Sequence, residues 1–199
     1  MDKNPVSKVL KPDLKVLSDV LARSFFDDPV SIYYFPSEVS RAKALNKFFY
    51  IHMAKLYFRF GHVYCNENKT GVAVWRPPGV KIDDLRSAVS LLPMATILRG
   101  RSILALRASA RLEKKHPKYP PHFYLATLGV LPDCQGKGYG SELLKPILEH
   151  CDKELIPSYL ESSKEKNLGF YQRHGFKLTG EVRLPKGPKV WLMWRDPQV

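Results

Sequence analysis

The segment PDCQGKGYGSELL, residues 132–144, places three glycines and a lysine where a helix is expected to begin. A glycine inside a helix costs about 0.5 to 1 kcal/mol relative to alanine, so the segment must need backbone without side chains. A strand that ends in a glycine turn and leads into a helix can bind phosphate through the free N–H groups of the first helical turn. Gly136, Gly138 and Gly140 would expose those groups, and Lys137 adds a full charge. The alternative is that the glycines serve close packing at the start of the helix.

The glycine spacing alone does not select one phosphate ligand. It departs from a Walker A loop, which needs GxxxxGK followed by Ser or Thr. A dinucleotide fingerprint expects an acidic residue about twenty residues further on, and Glu161 lies near that distance. The neighbouring helices and strands are therefore needed to choose between these kinds of phosphate site.

Hydrophobic periodicity predicts those elements. A first helix runs from Asp13, its predicted N-cap, and a second helix over residues 41–60 ends at Gly61. Residues 62–67 and 71–78 read as a strand hairpin. Residues 81–116 are helical in composition, broken at Pro93 and Gly100 into two or three short helices, and nine Lys and Arg residues lie between 81 and 118.

The second half of the chain alternates strands and helices. Strands are predicted at 122–130, 157–162, 176–184 and 189–195, and helices at 141–151, with a kink at Pro146, and 164–175. This order favours an α/β fold, a mixed sheet with helices on its faces, formed by a single domain over residues 1–199.

Bulk composition narrows the class of protein. Three cysteines without a CxxC pair imply neither a disulfide scaffold nor a zinc site, and no apolar run reaches a membrane span or a signal-peptide core. We therefore expect a cytoplasmic protein without a bound metal. The net charge of +13 could favour nucleic acid, an acidic lipid surface or a polyanionic small molecule. Nucleic acid is not the expected primary partner, because no recognised binding motif is present.

Two motifs carry a family resemblance. LGVLPDCQGKGYGSELL resembles the acetyl-CoA signature of the GCN5-related N-acetyltransferase (GNAT) superfamily: Gln or Arg, two residues, Gly, one residue, then Gly or Ala, met here by Gln135, Gly138 and Gly140. NLGFYQRHGF resembles the second signature of those enzymes, a tyrosine four residues before a Gly-Phe pair, met by Tyr171. Longer stretches are similar to the puromycin N-acetyltransferases, least so in residues 81–116 and in the second helix.

The resemblance implies a fold and a reaction. The fold would be a GNAT fold, with a mixed central sheet of about six to seven strands, helices on both faces and the helical insert before the fourth strand. The reaction would be acetyl transfer from acetyl-CoA to the primary amine of a small molecule, by direct attack in a ternary complex. A protein N-terminal or lysine acetyltransferase and a non-catalytic acyl-CoA-binding sensor are the alternatives. The oligomeric state, a homodimer included, is left open.

The resemblance also assigns the donor site. The strand ATLGV would be splayed from its neighbour, so that backbone groups of Leu128 and Val130 dock the pantetheine arm and an N–H near Leu128 meets the thioester oxygen. Gly129 is expected to form a bulge there. The expected cofactor-binding residues are Leu128, Gly129, Val130, Gln135, Gly136, Lys137, Gly138, Tyr139, Gly140, Ser141 and Asn167.

Two residues are expected to move protons. Tyr171 is the predicted general acid, because a phenol stays protonated at neutral pH and can protonate a departing thiolate. The alternative is that Tyr171 only packs its helix against the rest of the protein. Glu161 stands on an otherwise apolar strand, so it is either a base, acting directly or through water, or the structural partner of an arginine or a helix N-terminus. His122 is a weaker candidate base.

Three further residues have competing readings. His174 is favoured as a cap of helix carbonyls over a role as base. Asn167 either binds the cofactor or caps a helix. Cys134 lies beside the glycine turn, where helix N-termini lower thiol pKa values, but a nucleophilic role is not favoured because no motif supports it.

The acceptor pocket is expected between the first two helices and their loop. Its predicted lining is aromatic, with Asp28 available to attract a cationic amine. The candidate residues are Phe25, Phe26, Asp28, Tyr33 and Tyr34, with Trp75 and Tyr124 below them.

Overall fold

A computed structural model describes residues 5–80 and 85–198, with the backbone alone for residues 85–91. The predicted start of the insert at 81–84 lies outside the described residues, as do residues 1–4 and 199 of the predicted single domain.

Seven strands form one mixed sheet in the order β1-β2-β3-β4-β5-β7-β6. Only β4 and β5 pair in parallel; the other neighbours are antiparallel. The strands are β1 Val6–Lys8, β2 Val63–Asn66, β3 Gly71–Arg76, β4 Phe123–Val130, β5 Ser158–Ser162, β6 Lys177–Arg183 and β7 Lys189–Arg195. The predicted mixed sheet is confirmed. Strand β1 was not predicted, because three residues are too few to show an alternating pattern.

In the described ranges, seven α-helices surround the sheet. They are α1 Leu14–Ser24, α2 Pro29–Tyr34, α3 Glu38–Ile51, α4 Leu85–Leu98, α5 Ser102–Glu113, α6 Tyr139–Lys153 and α7 Leu168–Gln172. Helix α2 occupies what the sequence suggested was a loop: Asp28 caps it through its side chain and Pro29 fills the first helical position. Asp13 precedes α1 as predicted, but its side chain makes no cap hydrogen bond and pairs with Lys69 instead.

The helical insert is confirmed, with one of its two predicted breaks. The chain leaves the α-helical path at the 3-10 turn Arg99–Arg101, where Arg99 has a left-handed φ of 52°. The predicted break at Pro93 is wrong, since α4 runs through it. A proline's fixed φ is close to helical values, so its cost is mainly one lost hydrogen bond and local crowding.

Helix α3 changes its winding before it ends. The chain passes into a π-helical turn, His52–Tyr57, then a 3-10 turn, Phe58–Phe60, and stops at Gly61 with a left-handed φ of 71°. The predicted end at Gly61 is confirmed. π-Helical turns concentrate at functional sites, and this one carries His52 to the strand that lines the site described below.

Alternate residues of β3 serve two separate cores. Val72 and Val74 pack with α1 and α3 on one face of the sheet. Ala73 and Trp75 pack with α6 on the other face. Helices therefore cover both faces, as predicted, and the sheet is held between two apolar layers.

Strands β4 and β5 part after three residues. Phe123–Leu125 pairs with Ser158–Leu160, and beyond that point β4 pairs only with β3, and β5 only with β7. A β-bulge starts the separation, because the register against β3 passes from Leu125 to Thr127 and leaves Ala126 without a partner. The predicted splay is confirmed.

The bulge predicted at Gly129 is wrong. Gly129 is in regular register opposite Val72. It serves instead as a close-approach position, since a Cβ there would lie 2.8 Å from Cδ2 of Leu21. The missing side chain therefore lets helix α1 lie directly on the strand.

Candidate active site

The wedge between β4 and β5 exposes one edge of β4. The Leu131 N–H donates to the Thr70 carbonyl at 2.9 Å. In an antiparallel ladder this bond makes Val130 and Gly71 a non-hydrogen-bonded pair, so the backbone groups of Val130 point away from β3. The groups of Leu128, two residues earlier, point the same way. The N–H and C=O groups predicted to dock the donor thus face the wedge.

Two connected cavities follow this edge. An inner cleft of about 130 Å³ lies between β4 and β5, and an outer groove of about 410 Å³ leads from it to the glycine turn. The residues that line both are Leu128, Val130, Gln135, Asn167 and Tyr171. Every one of them was named from the sequence. Gln135 also fixes the end of the strand, because its Nε2 donates to the Val130 carbonyl at 3.0 Å.

The three glycines of the turn do two different things. Gly136 and Gly138 have left-handed φ angles of 77° and 86°, which residues with a side chain rarely adopt. Gly140 packs closely, since a Cβ there would lie 3.1 Å from Cζ of Phe170. Close packing, the alternative explanation, therefore holds for Gly140, whereas Gly136 and Gly138 are required by the backbone shape of the turn.

Helix α6 presents its first turn to the outer groove. Gly138 is its N-cap, and the first backbone bonds run from Ser141 and Glu142 to the Gly138 carbonyl. The N–H groups of Tyr139 and Gly140 precede those donors and line the groove. Lys137 does not line it: its Nζ donates to the Asp133 carbonyl at 2.9 Å, which corrects the expectation that its charge points at the anion.

Tyr171 is held at the junction of the two cavities. It is 8% exposed on α7 and packs against Phe170 and Phe176. Burial raises the pKa of its phenol well above 10, and the nearby Asp28 carboxylate adds to the shift. The phenol is therefore protonated throughout the physiological range.

Glu161 lies on β5 at the inner cleft, with its side chain only 10% exposed. The Tyr159 hydroxyl donates to Oε1 at 3.2 Å, and the Tyr124 hydroxyl is 3.4 Å from Oε2. Burial and the Glu161 charge raise the pKa of both phenols. Among the described residues, Glu161 contacts two phenols and a histidine, and not an arginine or a helix N-terminus as the structural alternative required.

That histidine, His116, was missed in the sequence. Its Nδ1 lies 3.8 Å from Oε1 of Glu161, and its Nε2 lies 2.9 Å from Nη2 of Arg76. A guanidinium can only donate, so Nε2 accepts and the proton of a neutral His116 belongs on Nδ1, facing Glu161. The sequence HPKYPPH could have indicated His116, because it also contains His122, which was a candidate base. The Nε2 atoms of His116 and His122 are 3.1 Å apart.

A second missed histidine supports the bulge. His52 Nε2 lies 3.1 Å from Oγ1 of Thr127, and its ring packs against Tyr57. Burial lowers the pKa of His52 to about 4, so the ring is neutral at physiological pH.

The structure places His174, Asn167 and Cys134, each of which had two possible roles. His174 Nδ1 contacts the Phe170 carbonyl at 2.8 Å, which confirms a capping role. Asn167 occupies the N-cap position of α7 without a side-chain cap bond and lines both cavities. Cys134 lines the outer groove.

Only some of the residues predicted to line the acceptor pocket lie at the inner cleft or contact Glu161. Phe25 and Asp28 line the inner cleft, and Tyr124 contacts Glu161. Asp28 is not available to a cation as expected: it is 3% exposed, caps α2 through the N–H groups of Val30 and Ser31, and accepts from the Ser163 hydroxyl.

The other predicted acceptor residues lie elsewhere. Phe26 lies under the guanidinium of Arg41, and the Tyr33 hydroxyl donates to the Pro185 carbonyl at 2.6 Å. Tyr34 lines a separate cavity beside α3. Trp75 is fully buried on the α6 face of the sheet. Aromatic type alone did not reveal which face each ring occupies.

Comparisons with known proteins agree with this geometry. Residues 100–178 match the family model of the acetyltransferase (GNAT) domain. An uncharacterized N-acetyltransferase of Schizosaccharomyces pombe is 29% identical over 209 residues, covering 96% of this chain and 83% of that protein.

Solved structures share the whole fold. A Corynebacterium glutamicum structure, described as a histone acetyltransferase and related acetyltransferase, has a TM-score of 0.74 at 26% identity and covers 98% of this chain and 97% of its own. A Drosophila melanogaster polyamine N-acetyltransferase has a TM-score of 0.60 at 15% identity, with 96% and 98% covered.

Fold and site together define an acyltransferase. The domain match over residues 100–178, the Schizosaccharomyces pombe relative and the Corynebacterium glutamicum structure all support the GNAT superfamily, whose members use acetyl-CoA as donor. Among the described residues, no helix is long and apolar enough to cross a membrane, and no three His, Cys, Asp or Glu residues are grouped to hold a metal ion.

Proposed function

We propose that this chain transfers an acetyl group from acetyl-CoA to the primary amine of a small molecule, by direct attack in a ternary complex. One observation carries the proposal. The wedge between β4 and β5 gathers an exposed strand edge, a protonated phenol and a buried carboxylate around one cleft, and the glycine turn lies at its outer end.

The donor side fits the free backbone groups. When bound, acetyl-CoA supplies the acetyl group as a thioester, and its pyrophosphate suits the N–H groups of Tyr139 and Gly140 at the start of α6. The Leu128 N–H is the proposed donor to the thioester oxygen. Fixed donors of this kind are worth about 10² to 10³ in rate.

Tyr171 is the proposed general acid. Its raised pKa keeps the proton on the phenol until a sulfur anion forms beside it. Burial raises the pKa of thiols as well, to about 12 at Cys151, so a thiolate formed in this cleft would be a stronger base than in water. The proton transfer from phenol to sulfur is thereby made easier.

Glu161 is the proposed base, which accepts a proton from the ammonium group of the acceptor so that the neutral amine can attack. Its charge is kept in the cleft by the hydroxyls of Tyr124 and Tyr159. An amine that reaches this carboxylate, directly or through water, can lose a proton before it attacks. The Tyr124 and Tyr159 rings, 5.9 Å apart and stacked, give that approach an aromatic wall.

The test begins with binding. Calorimetric titration of acetyl-CoA is expected to show a single site in the wild type and none in Gly138→Asp, which adds a negative side chain to the turn. Gly61→Asp is the matched control, because Gly61 also has a left-handed φ and a Cβ there meets no atom within 4 Å. No binding by the wild type would overturn the proposal.

The acceptor is then sought by thiol release with a panel of amines. Agmatine, arylalkylamines and puromycin test the small-molecule reading, because structural relatives of this fold are named for the first two classes. A lysine-containing histone peptide tests the alternative, because the Corynebacterium relative is described as a histone acetyltransferase. Turnover of the peptide alone would replace a small amine by a protein as the acceptor.

A further inference from the structure

A cavity of about 440 Å³ lies between helix α3 and the turn that joins α4 to α5. No described residue lines both this cavity and the inner cleft or outer groove. Its charged lining comes from four residues, Lys43, Lys47, Arg99 and Arg101, and we call it the cationic cleft.

The described part of the chain places no negative charge in the cationic cleft. Among the described residues, no Asp or Glu lines it, and none of its four cations forms an ion pair with a carboxylate. Lys43 and Lys47 lie one helical turn apart on the same face of α3, a spacing at which like charges destabilise a helix. The fold thus concentrates positive charge in a concave surface, where it attracts anions most strongly.

Two arginines close the opposite wall. Arg99 has a left-handed φ of 52°, a conformation that disfavours a side chain. Arg101 is anchored, because its Nη1 donates to the Tyr33 carbonyl at 2.7 Å. The cluster is therefore formed by the turn itself, with one cation held in place by the backbone of α2.

Hydroxyls and an apolar floor complete the cleft. Ser37 and Ser40 line it, and the Ser37 side chain makes no cap hydrogen bond to α3. Phe35, Ala44 and Ile97 supply apolar surface. Paired lysines and arginines with hydroxyl donors are the groups that bind phosphate in proteins.

We propose that the cationic cleft binds clustered phosphate groups, at a site separate from the acetyl-CoA site. The groups come from a polyphosphorylated small molecule or from a phospholipid headgroup. Such a site would account for part of the net charge of +13, which exceeds what the binding of one CoA molecule requires.

The site lies close to the acceptor side of the proposed active site. Tyr34 lines the cationic cleft, and its pKa is raised to about 12 by burial, by Tyr33 and by the charge of Glu161.

The experiment is calorimetric titration of inorganic tripolyphosphate at low ionic strength, with saturating CoA present to occupy the glycine turn. The wild type is expected to bind one equivalent. Lys43→Gln/Lys47→Gln is expected to weaken that binding at least tenfold. The matched control is Lys11→Gln/Lys15→Gln, which removes two exposed lysines four residues apart on another part of the surface and is expected to change it less than twofold.

A second variant separates binding from folding. Arg99→Gly removes a cation and relieves the left-handed strain, so it is expected to weaken tripolyphosphate binding while the melting temperature stays level or rises. If CoA itself does not bind, the same titrations without CoA still read the cationic cleft through its own variants.

A vesicle arm identifies the source of the phosphate. Sedimentation with vesicles containing phosphatidylglycerol is compared with neutral phosphatidylcholine vesicles. Capture by anionic vesicles that Lys43→Gln/Lys47→Gln abolishes, without tripolyphosphate binding, assigns the cleft to lipid headgroups. The proposal is overturned if the two double variants weaken tripolyphosphate binding equally, or if neither tripolyphosphate nor the anionic vesicles bind.

Discussion

The imidazole Nδ1 of His116 lies 3.8 Å from Oε1 of Glu161, at the end of a chain that begins with Arg76. Arg76 fixes the His116 ring, and its guanidinium also lies 5.0 Å from the centroid of the Tyr124 ring. His116 is thus held by a permanent cation and faces the proposed base. We infer that it positions Glu161 and places an N–H beside the carboxylate.

Substitution His116→Gln is expected to lower kcat about tenfold, because the carboxylate loses one of the groups that orient it. The KM for acetyl-CoA should stay within about twofold, since His116 lines neither donor cavity. His174→Gln, which removes a helix cap, is the control for kcat.

Substitution Tyr171→Phe is expected to lower kcat by about 10² to 10⁴, the usual contribution of a general acid, with acetyl-CoA affinity retained. Because burial raises the pKa of Tyr171 well above 10, the wild-type rate should show no loss from this residue between pH 7 and 10. Stopped-flow thiol release measures both. Tyr50→Phe, an exposed tyrosine on α3, is the control. Full activity in Tyr171→Phe would show that this phenol is not the general acid.

The residues of the outer groove were predictable because their sequence signals are local. Gln135, Gly138 and Gly140 lie within six residues of one another. The turn that contains them needs left-handed φ angles, which glycine adopts readily. The splay of β4 also follows from a family pattern. The position of its bulge does not: Ala126 has no partner on β3, whereas Gly129, at which the bulge was predicted, is in regular register.

The acceptor side was less predictable because its contacts are distant in sequence. His116 and Glu161 are 45 residues apart, and only the fold brings them together. Trp75 shows a signal that was available and unused: it alternates with Val74 along β3, so the two must face opposite layers. Asp28 shows the reverse case, since an Asp before a proline is a helix cap as readily as a binding group.

The stability of the fold is expected to fall in mild acid through His52. Its folded pKa of about 4 is below the unfolded value near 6.5, so below pH 6.5 the unfolded chain binds a proton that the folded chain does not. This contribution is complete above pH 6.5 and is lost as the pH falls to 4, by as much as about 3 kcal/mol.

Urea unfolding at pH 7.5 and 4.5 measures the effect, with His52→Phe as the comparison. The variant should lose less stability between the two pH values than the wild type. Burial also lowers the pKa of His62 and His122, so the difference between the two proteins, not the wild-type slope, isolates His52. Parallel pH profiles would show that His52 is not the titrating group.

The two kinds of glycine in the turn should respond differently to alanine. Gly136→Ala puts a side chain at a left-handed φ with no atom near it, so stability should fall by about 1 kcal/mol. Gly140→Ala gains helix propensity but pushes Phe170, which lines the outer groove beside Tyr171. Its stability should therefore change little while the acetyl-CoA Kd rises several-fold. Thermal unfolding and calorimetry separate the two, and an unchanged Kd in Gly140→Ala would show that Phe170 does not shape the groove.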